Sequence, residues 1–413
     1  MTWPRVPLDF VKSAAPYSFV GGPFGSELTT RDYVAEGIPV IRGSNLVGPG
    51  KFLDDDFVYV NDQKAASLRS NTAHPGDLIF TQRGTLGQIG LIPKHARFSR
   101  YVVSQSQMKL TVDEEKADPL FLYYFFRLPS TIQQMLNRVS SSGVPHINLS
   151  VLKAFEIPLP PKPTQEAIAR IAQPYDDLIE NNRRRIRLLE EAARLLYQEW
   201  FVRFRFPGHE HVKIVKGLPE GWQRRTFNEV CIAVGGGTPS TRVPEYWDGD
   251  ITWVVPTDVT RNGSLALLDS ERRITDRGLR ESSAQMLPPE TILMTSRASV
   301  GFFALPDAPV CTNQGFINII PKIPECRFFL LHNLLSRVDE IRAHAAGSTY
   351  PEISKSRFRS LPIILPPENI RREFADTVKT SHVLVRNLEL AIKKLNYARD
   401  LLLPRLMSGE VEV

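Results

Sequence analysis

The chain repeats itself, and that repetition limits what it can fold into more than any other feature. Trp3, Leu8 and Val11 near the start return as Trp222, Phe227 and Val230, 219 residues on. "GGPFGS" from Gly21 returns as "GGGTPS" from Gly235, at an offset of 214. "PGDLIFTQRGTLGQIG" from Pro75 matches "PPETILMTSRASVGFF" from Pro288, which sets Arg83 against Arg297. At an offset of 206, Ile147 then meets Ile353, Ser150 meets Ser356, and Leu159-Pro160-Pro161 meets Leu365-Pro366-Pro367. The order is kept and the offset shrinks in steps, as loop deletions in the second copy would produce. A repeat of this length commits the chain to two halves built on one plan.

Each copy reads as two parts. The first is strand-like, with short runs such as "IPVIRG", "DLIFTQ" and "YVVSQSQMKLTV" broken by Gly, Pro and Asp. One helix interrupts it, "DPLFLYYFFRLPSTIQQML", with Asp118 as the cap ahead of Pro119 at the first helical position. Its counterpart is "CRFFLLHNLLSRVDEIRAH". This pattern predicts an α+β globule and not a βαβαβ sheet.

The second part is a long helix. Prolines stop the preceding strand, and Thr164 is the expected cap. In the first copy a heptad-like seam runs Ile168, Ile171, Tyr175, Leu178, Asn182, Ile186, Leu189, Ala193 and Leu196, with Pro174 inside it as a kink or a late start. In the second it runs Phe374, Val378, Ser381, Val385, Leu388, Ile392, Leu395, Arg399 and Leu402. At 1.5 Å per residue each helix spans roughly 50 Å, and two such stripes are expected to pair with each other and hold two globules apart. The expected parts are therefore a globule at 1–162, a helix at 163–205, a Gly- and Pro-rich linker at 206–220, a second globule at 221–367 and a second helix at 368–413.

Composition narrows the class. The 413 residues are 42% hydrophobic and 23% charged, the balance of a soluble globular protein of about two domains. A net charge of +6 fits a polyanion partner as well as a solubility margin. Three scattered cysteines make neither a disulfide framework nor a metal-ligand spacing. With no signal-like apolar segment at the start and no run long enough for a membrane span, the cytoplasm is the expected location and no membrane partner is expected.

Patterns that carry chemistry are missing. There is no Gly-x4-Gly-Lys-Ser/Thr phosphate loop, and no Asn/Asp-Pro-Pro-aromatic segment of the kind amino-methylating enzymes use. Gly235-Gly236-Gly237 runs into Thr-Pro-Ser and not into a helix, so it reads as a turn. "HEH" at His209–His211 lacks a third ligand, and Asp54–Asp56 reads as a loop; no metal is expected.

The chain resembles the specificity subunit of type I restriction–modification systems over essentially its whole length. The paired Gly-rich openings at Gly21–Ser26 and Gly235–Ser240 carry the resemblance weakly, as does "EYW" at Glu245–Trp247. The "IPLPP…Q-x-x-I-A" junction at Ile157–Ala169 adds to it. "YQEWFVRFRFPG" at Tyr197–Gly208 and "RDLLLPRLMSGE" at Arg399–Glu410 carry it most specifically. The resemblance implies two target-recognition domains, each reading half of a bipartite, asymmetric double-stranded DNA site. It implies an antiparallel helix pair that sets the half-site spacing and docks two methyltransferase subunits, with restriction–translocase subunits joining through that core. Catalysis then belongs to the partners, and S-adenosylmethionine, ATP and Mg would be bound there, leaving this chain without a cofactor. One departure stands out: Arg371 occupies the place that Gln165 holds in the first junction. Two rivals are a coiled-coil scaffold with duplicated protein-binding globules and a single-chain DNA methyltransferase.

For base readout the candidates are polar residues at loop ends. Arg83 with Thr81 and Gln82, and Arg297 with Thr295 and Ser296, follow equivalent apolar strands. Arginine can bond guanine O6 and N7 together, and Gln or Asn can do the same for adenine; a surface ion pair is the plain alternative. Arg42, Ser44 and Asn45 occupy a slot resembling Pro256, Thr257 and Asp258, where ordinary turn roles fit equally. Gln105, Gln107, Asn313 and Gln314 lie on strands, where buried structural bonds compete with readout. Arg183, Arg184, Arg185 and Arg187 read as a solvated, ion-paired helix face. For partner contact the expected anchors are Gln165, Ile168, Trp200, Phe201, Phe204, Leu403 and Leu406, since aromatic residues concentrate at interface cores.

Overall fold

The computed structural model describes residues 3–47, 50–139, 145–347 and 351–413. The chain divides into two compact units, Met1–Asn181 with Lys393–Val413, and Asn182–Ile392. Both long helices are shared out: each starts in one unit and ends in the other.

In the first unit one antiparallel sheet has the strand order Phe19–Gly21, Gln107–Leu110, Leu78–Thr81, Ile89–Leu91. A second sheet runs Val58–Val60, Ile38–Ile41, Tyr101–Val103, Thr72–Ala73, with its two middle strands parallel. The strands at 78–81, 101–103 and 107–110 are buried at every residue. The first two read as nearly continuous apolar runs for that reason, whereas the third buries Gln107 and Lys109 among its apolar residues. The helix Pro119–Arg127 begins as expected: the Asp118 side chain accepts the Phe121 N–H at 2.8 Å and proline fills the first position. Phe121 to Phe126 are all buried, so this helix is core on every side.

The second unit repeats the plan. Its main sheet runs Cys231–Gly235, Phe316–Pro321, Ile292–Thr295, Phe303–Pro306, and adds one strand at Ala266–Leu267. The companion sheet runs Arg272–Ile274, Trp247–Val254, Cys311–Thr312, again with a parallel pair. Where the first unit has strand Thr72–Ala73, the second keeps only the bridge Leu287–Val310. In each unit the segment that opens the copy pairs with the strand before the prolines: Arg5–Pro7 with Glu156–Pro158, and Gln223–Thr226 with Pro362–Leu365. The α+β class and the internal duplication thus hold, apart from the strand added at Ala266–Leu267 and the one reduced to a bridge. Within the segment expected as a linker, Ile214–Val215 and Leu218–Pro219 form a small hairpin, and Phe206 is buried beside Trp222, ring centres 5.5 Å apart.

The central helix spans Lys162–Tyr197 and runs into a π-helical turn at Gln198–Val202; the distal helix spans Glu368–Met407. Thr164 is not the cap. The helix starts two residues earlier, Thr164 already donates its N–H to the Pro161 carbonyl at 2.9 Å, and Pro163 sits in the first turn, where a missing N–H costs nothing. The helix continues through Pro174.

The helices run antiparallel. In the first unit Asp176 of the central helix meets Arg399 of the distal one at 2.6 Å; in the second, Phe201 packs edge-on to Phe374, ring centres 4.9 Å apart. The seam differs from the sequence expectation in one stretch. Ile171 and Leu178 are exposed, while Ala172, Asp176 and Ile179 face inward. A hydrophobic pattern cannot place a carboxylate in a seam, but here Asp176 is buried because Arg399 is buried opposite it.

Candidate nucleic-acid interface

In the second unit three loops converge on a cavity of about 390 Å³ lined by Pro256, Thr257, Arg297, Ala298, Ser299, Asn313, Gln314 and Gly315. The first loop is a capped turn. The Val255 N–H donates to Asp258 Oδ2 at 2.8 Å, which fixes the turn and leaves Thr257 outward and exposed. Burial raises the Asp258 pKa above the ordinary carboxylate value.

The second loop follows strand Ile292–Thr295. Thr295 Oγ1 accepts the Phe302 N–H at 2.9 Å and closes the loop; Ser296 N–H donates to the Gly315 carbonyl at 2.8 Å. Between these anchors Ala298 takes a left-handed conformation (φ 61°), and Arg297 is pushed into solvent. The third loop enters strand Phe316–Pro321, where Asn313 Oδ1 accepts the Gly315 N–H at 2.9 Å and Gln314 is exposed, accepting from the Thr238 hydroxyl. Gly236 explains the glycine-rich opening. A Cβ there would lie 2.2 Å from the Thr312 and Asn313 carbonyl oxygens, so only glycine lets that segment pass.

The first unit builds the same frame. The Arg42 N–H donates to Asn45 Oδ1 at 2.9 Å, leaving Ser44 exposed. The capping pair therefore aligns Arg42 with Val255, one residue before Pro256. Gln82 N–H donates to the Ser106 carbonyl at 2.7 Å, Gly84 takes the left-handed position (φ 97°), and Arg83 is exposed with no side-chain partner among the described residues. A Cβ on Gly22 would lie 2.0 Å from the Ser104 carbonyl oxygen, the counterpart of the Gly236 contact.

Several sequence candidates turn out to hold this frame and offer no edge to a base. Asn45 is fully buried and its amide donates to the Leu53 and Asp55 carbonyls at 3.1 and 3.0 Å. Thr81, Thr295, Ser296 and Gln107 are buried, and Asp258 is spent on its cap. Gln105 gives its amide hydrogens to the Gly25 and Leu28 carbonyls. Arg42 is half-buried and reaches the Asp56 carbonyl at 3.2 Å. Those left exposed are Ser44 and Arg83 in the first unit, and Thr257, Arg297 and Gln314 in the second, with Gln82 and Asn313 half-buried beside them. Residue type alone could not separate the two sets, because turn caps and base readers draw on the same Asn, Asp, Thr and Gln.

Two basic or acidic neighbours escaped the sequence reading. Lys355 is exposed and unpaired among the described residues, and its Nζ would lie 3.0 Å from a Cβ placed on Gly235. Glu352 bridges Arg297 through the backbone, and its carboxylate lies 3.8 Å from Arg297 Nε. At the equivalent bridge in the first unit Arg83 faces His146. The repeat of "PHINLS" as "PEISKS" around Ile147 and Ile353 was the signal that would have found both positions.

Six of the seven expected partner anchors are corrected, being buried within the chain itself, and Phe204 is half-buried. Gln165 is fully buried, accepting the Asp118 N–H at 2.9 Å and donating to the Pro160 carbonyl at 2.8 Å; it locks the central helix to the start of the Pro119–Arg127 helix. Arg371 is buried at the matching joint, against Cys326 at the start of the Cys326–Ser336 helix. Ile168, Leu403 and Leu406 lie in the first unit's core, and Trp200 and Phe201 in the second's, with Phe204 packed on Trp222. Core and interface anchors share one composition, so sequence could not tell them apart.

No group of three or more His, Cys, Asp or Glu among the described residues could hold a metal ion, and no helix there is long and apolar enough to cross a membrane. Burial pushes the Cys231 thiol up to about 12 and Cys311 to about 11, so both stay protonated and poor nucleophiles at neutral pH.

Known proteins share this construction. Over 191 residues the chain is 31% identical to the type I restriction enzyme MjaIX specificity subunit of Methanocaldococcus jannaschii, covering 46% of this chain and 44% of that protein, less than half its length. It is 24% identical over 433 aligned residues to the HindI specificity subunit of Haemophilus influenzae, covering 87% and 92% of the two chains. The crystal structure of a type I restriction–modification S subunit from M. genitalium superposes with a TM-score of 0.60 at 17% identity, covering 98% of this chain and 96% of that one, a likeness of fold. The type I restriction modification DNA specificity domain matches residues 32–191 and again 219–393. With one copy of that domain in each half, the chain belongs to the type I restriction–modification DNA specificity family.

Proposed function

We propose that each unit reads one half of a bipartite, asymmetric duplex DNA target, Arg83 carrying the readout in the first and Arg297 in the second. The observation behind this reading is the duplicated three-loop frame: backbone bonds, the glycine contact and one outward arginine are kept, while the side chains around that arginine differ. A shared frame with different polar edges is what reading two different sequences requires. An exposed guanidinium on such a loop can bond guanine O6 and N7 in the major groove. Lys355 and the net positive charge serve phosphate contact.

In this reading the chain is not itself an enzyme. It recruits two methyltransferase subunits, and restriction–translocase subunits join them; S-adenosylmethionine, ATP and Mg are bound by those partners. The partner surface lies on the outward helix faces, where Leu178, Leu188, Leu195, Val383, Tyr397 and Leu401 are 47–68% exposed. Large apolar side chains in solvent at such spacing fit a protein contact.

The test is to map methylated adenines genome-wide with this gene present, deleted, or with residues 1–162 exchanged for those of a relative. The expected result is a two-part motif that vanishes on deletion and changes in one half on exchange. A motif that changes in both halves would defeat the division of labour, and duplex DNA ignored even with a methyltransferase partner bound would favour a protein-binding scaffold.

A further inference from the structure

We propose that Glu352 is the positioning residue that sets how stringently Arg297 reads its base; the inference rests on the reading of Arg297 given above. Glu352 is unusually well placed for such a role. Its backbone is held on both sides, bridging Arg297 on one and Ala346 on the other, with bonds of 2.8 and 3.0 Å to Ala346. The neighbouring residues zip the same segment to the arginine loop: Ile353 N–H donates to the Ser296 carbonyl at 3.0 Å, and Ala298 N–H to the Pro351 carbonyl at 2.9 Å. The carboxylate is thereby delivered to one guanidinium nitrogen, Nε, at 3.8 Å.

That geometry has two consequences. The contact falls on Nε, so pairing with Glu352 does not use the two terminal nitrogens, which can then meet two adjacent acceptors on guanine. An ion pair this exposed, 52% and 49%, adds almost nothing to folding stability, so its effect falls on what Arg297 binds. DNA brings phosphates close to the Glu352 carboxylate, and their repulsion weakens every complex. A base offering two acceptors to the aligned guanidinium offsets that repulsion; a base offering one does not. Glu352 therefore trades affinity for discrimination, a repulsive element built into a recognition site.

The test measures binding of the full complex, with its partner subunits, to a series of duplexes in which each recognised base pair is changed in turn. Glu352→Gln keeps size and fold while removing the charge. Its expected result is tighter binding to every duplex and about a tenfold loss of discrimination at one base pair of the second half, with the first half unmoved. Glu352→Asp keeps the charge and retains more discrimination than Glu352→Gln. Arg297→Ala is measured alongside. If Arg297→Ala removes that discrimination while Glu352→Gln leaves it intact, Glu352 is a bystander and this inference fails. If Arg297→Ala changes no base preference, the readout by Arg297 itself is wrong.

Discussion

The two units share the backbone frame of their three converging loops, yet they fill their cores with different polar chemistry. Under the main sheet the first unit buries an ion pair, Lys109 with Asp77 at 3.6 Å, and Thr111 donates its hydroxyl to Asp77 at 2.6 Å. At the matching positions the second unit buries neutral Asn318 and Thr291. The joint to the long helix is a saturated amide, Gln165, in the first and a guanidinium, Arg371, in the second, whose Nε has no hydrogen-bond partner. At the loop that carries Arg83 or Arg297, the arginine faces His146 in one unit and Glu352 in the other. Duplication preserved what the backbone needs, and the side chains then diverged wherever the frame tolerated it.

The largest expected effect tests the buried pairs. Lys109→Met leaves Asp77 buried without its counter-ion and should cost the first unit about 3–5 kcal/mol. Asn318→Leu in the second should cost no more than about 1 kcal/mol, since it removes a half-satisfied amide. Hydrogen exchange resolved by unit reports both; equal losses would erase the contrast. Next come the joints. Gln165→Ala strands the Asp118 N–H and the Pro160 and Lys116 carbonyls and should destabilise the first unit by about 1–3 kcal/mol, whereas Arg371→Met should be milder, because its hydrogen bond among the described residues goes to the Cys326 sulfur.

A pH difference follows from how each unit ties a loop to the central helix. In the first, Lys51 pairs with exposed Asp177 at 3.1 Å. In the second, Glu190 accepts the Leu265 N–H at 2.7 Å, and burial pushes its pKa up to about 7, with Glu389 adding to the rise. A carboxyl whose folded pKa lies above its unfolded value holds its proton longer in the folded state, so stability falls as pH rises from about 4.5 to about 7. Glu190→Gln should abolish that slope and stabilise the second unit by about 2 kcal/mol above pH 7. Asp177→Asn should shift the first by no more than about 0.5 kcal/mol. Denaturant melts at pH 5 and pH 8 decide between them. The smallest effect tests the reading loop: His146→Glu should give Arg83 the restraint that Arg297 has and sharpen discrimination in the first half by about threefold, read from binding to base-substituted duplexes.

Much of this frame was legible in the sequence because it depends on backbone requirements. Gly22 and Gly236 mark a passage too tight for a Cβ, Asp118-Pro119 starts a helix, and the offsets between copies give the duplication directly. The sites were less legible. Asn45 and Asp258, where base contact and turn roles fitted equally, proved to be caps, because a turn and a base select the same short polar side chains. Trp200, Phe201 and Leu406 looked like partner anchors and proved to be core, because burial in oneself and burial in another use the same residues. Asp176 was invisible as a seam position until Arg399 was seen opposite it, 223 residues away in sequence.

The most direct measurement of the central claim is methylated-adenine mapping in cells carrying the natural chain, Arg83→Ala, Arg297→Ala, or both. The account predicts a motif relaxed at one position in one half for each single change, and in both halves for the double. A single change that alters both halves, or a double change that alters neither, would contradict it.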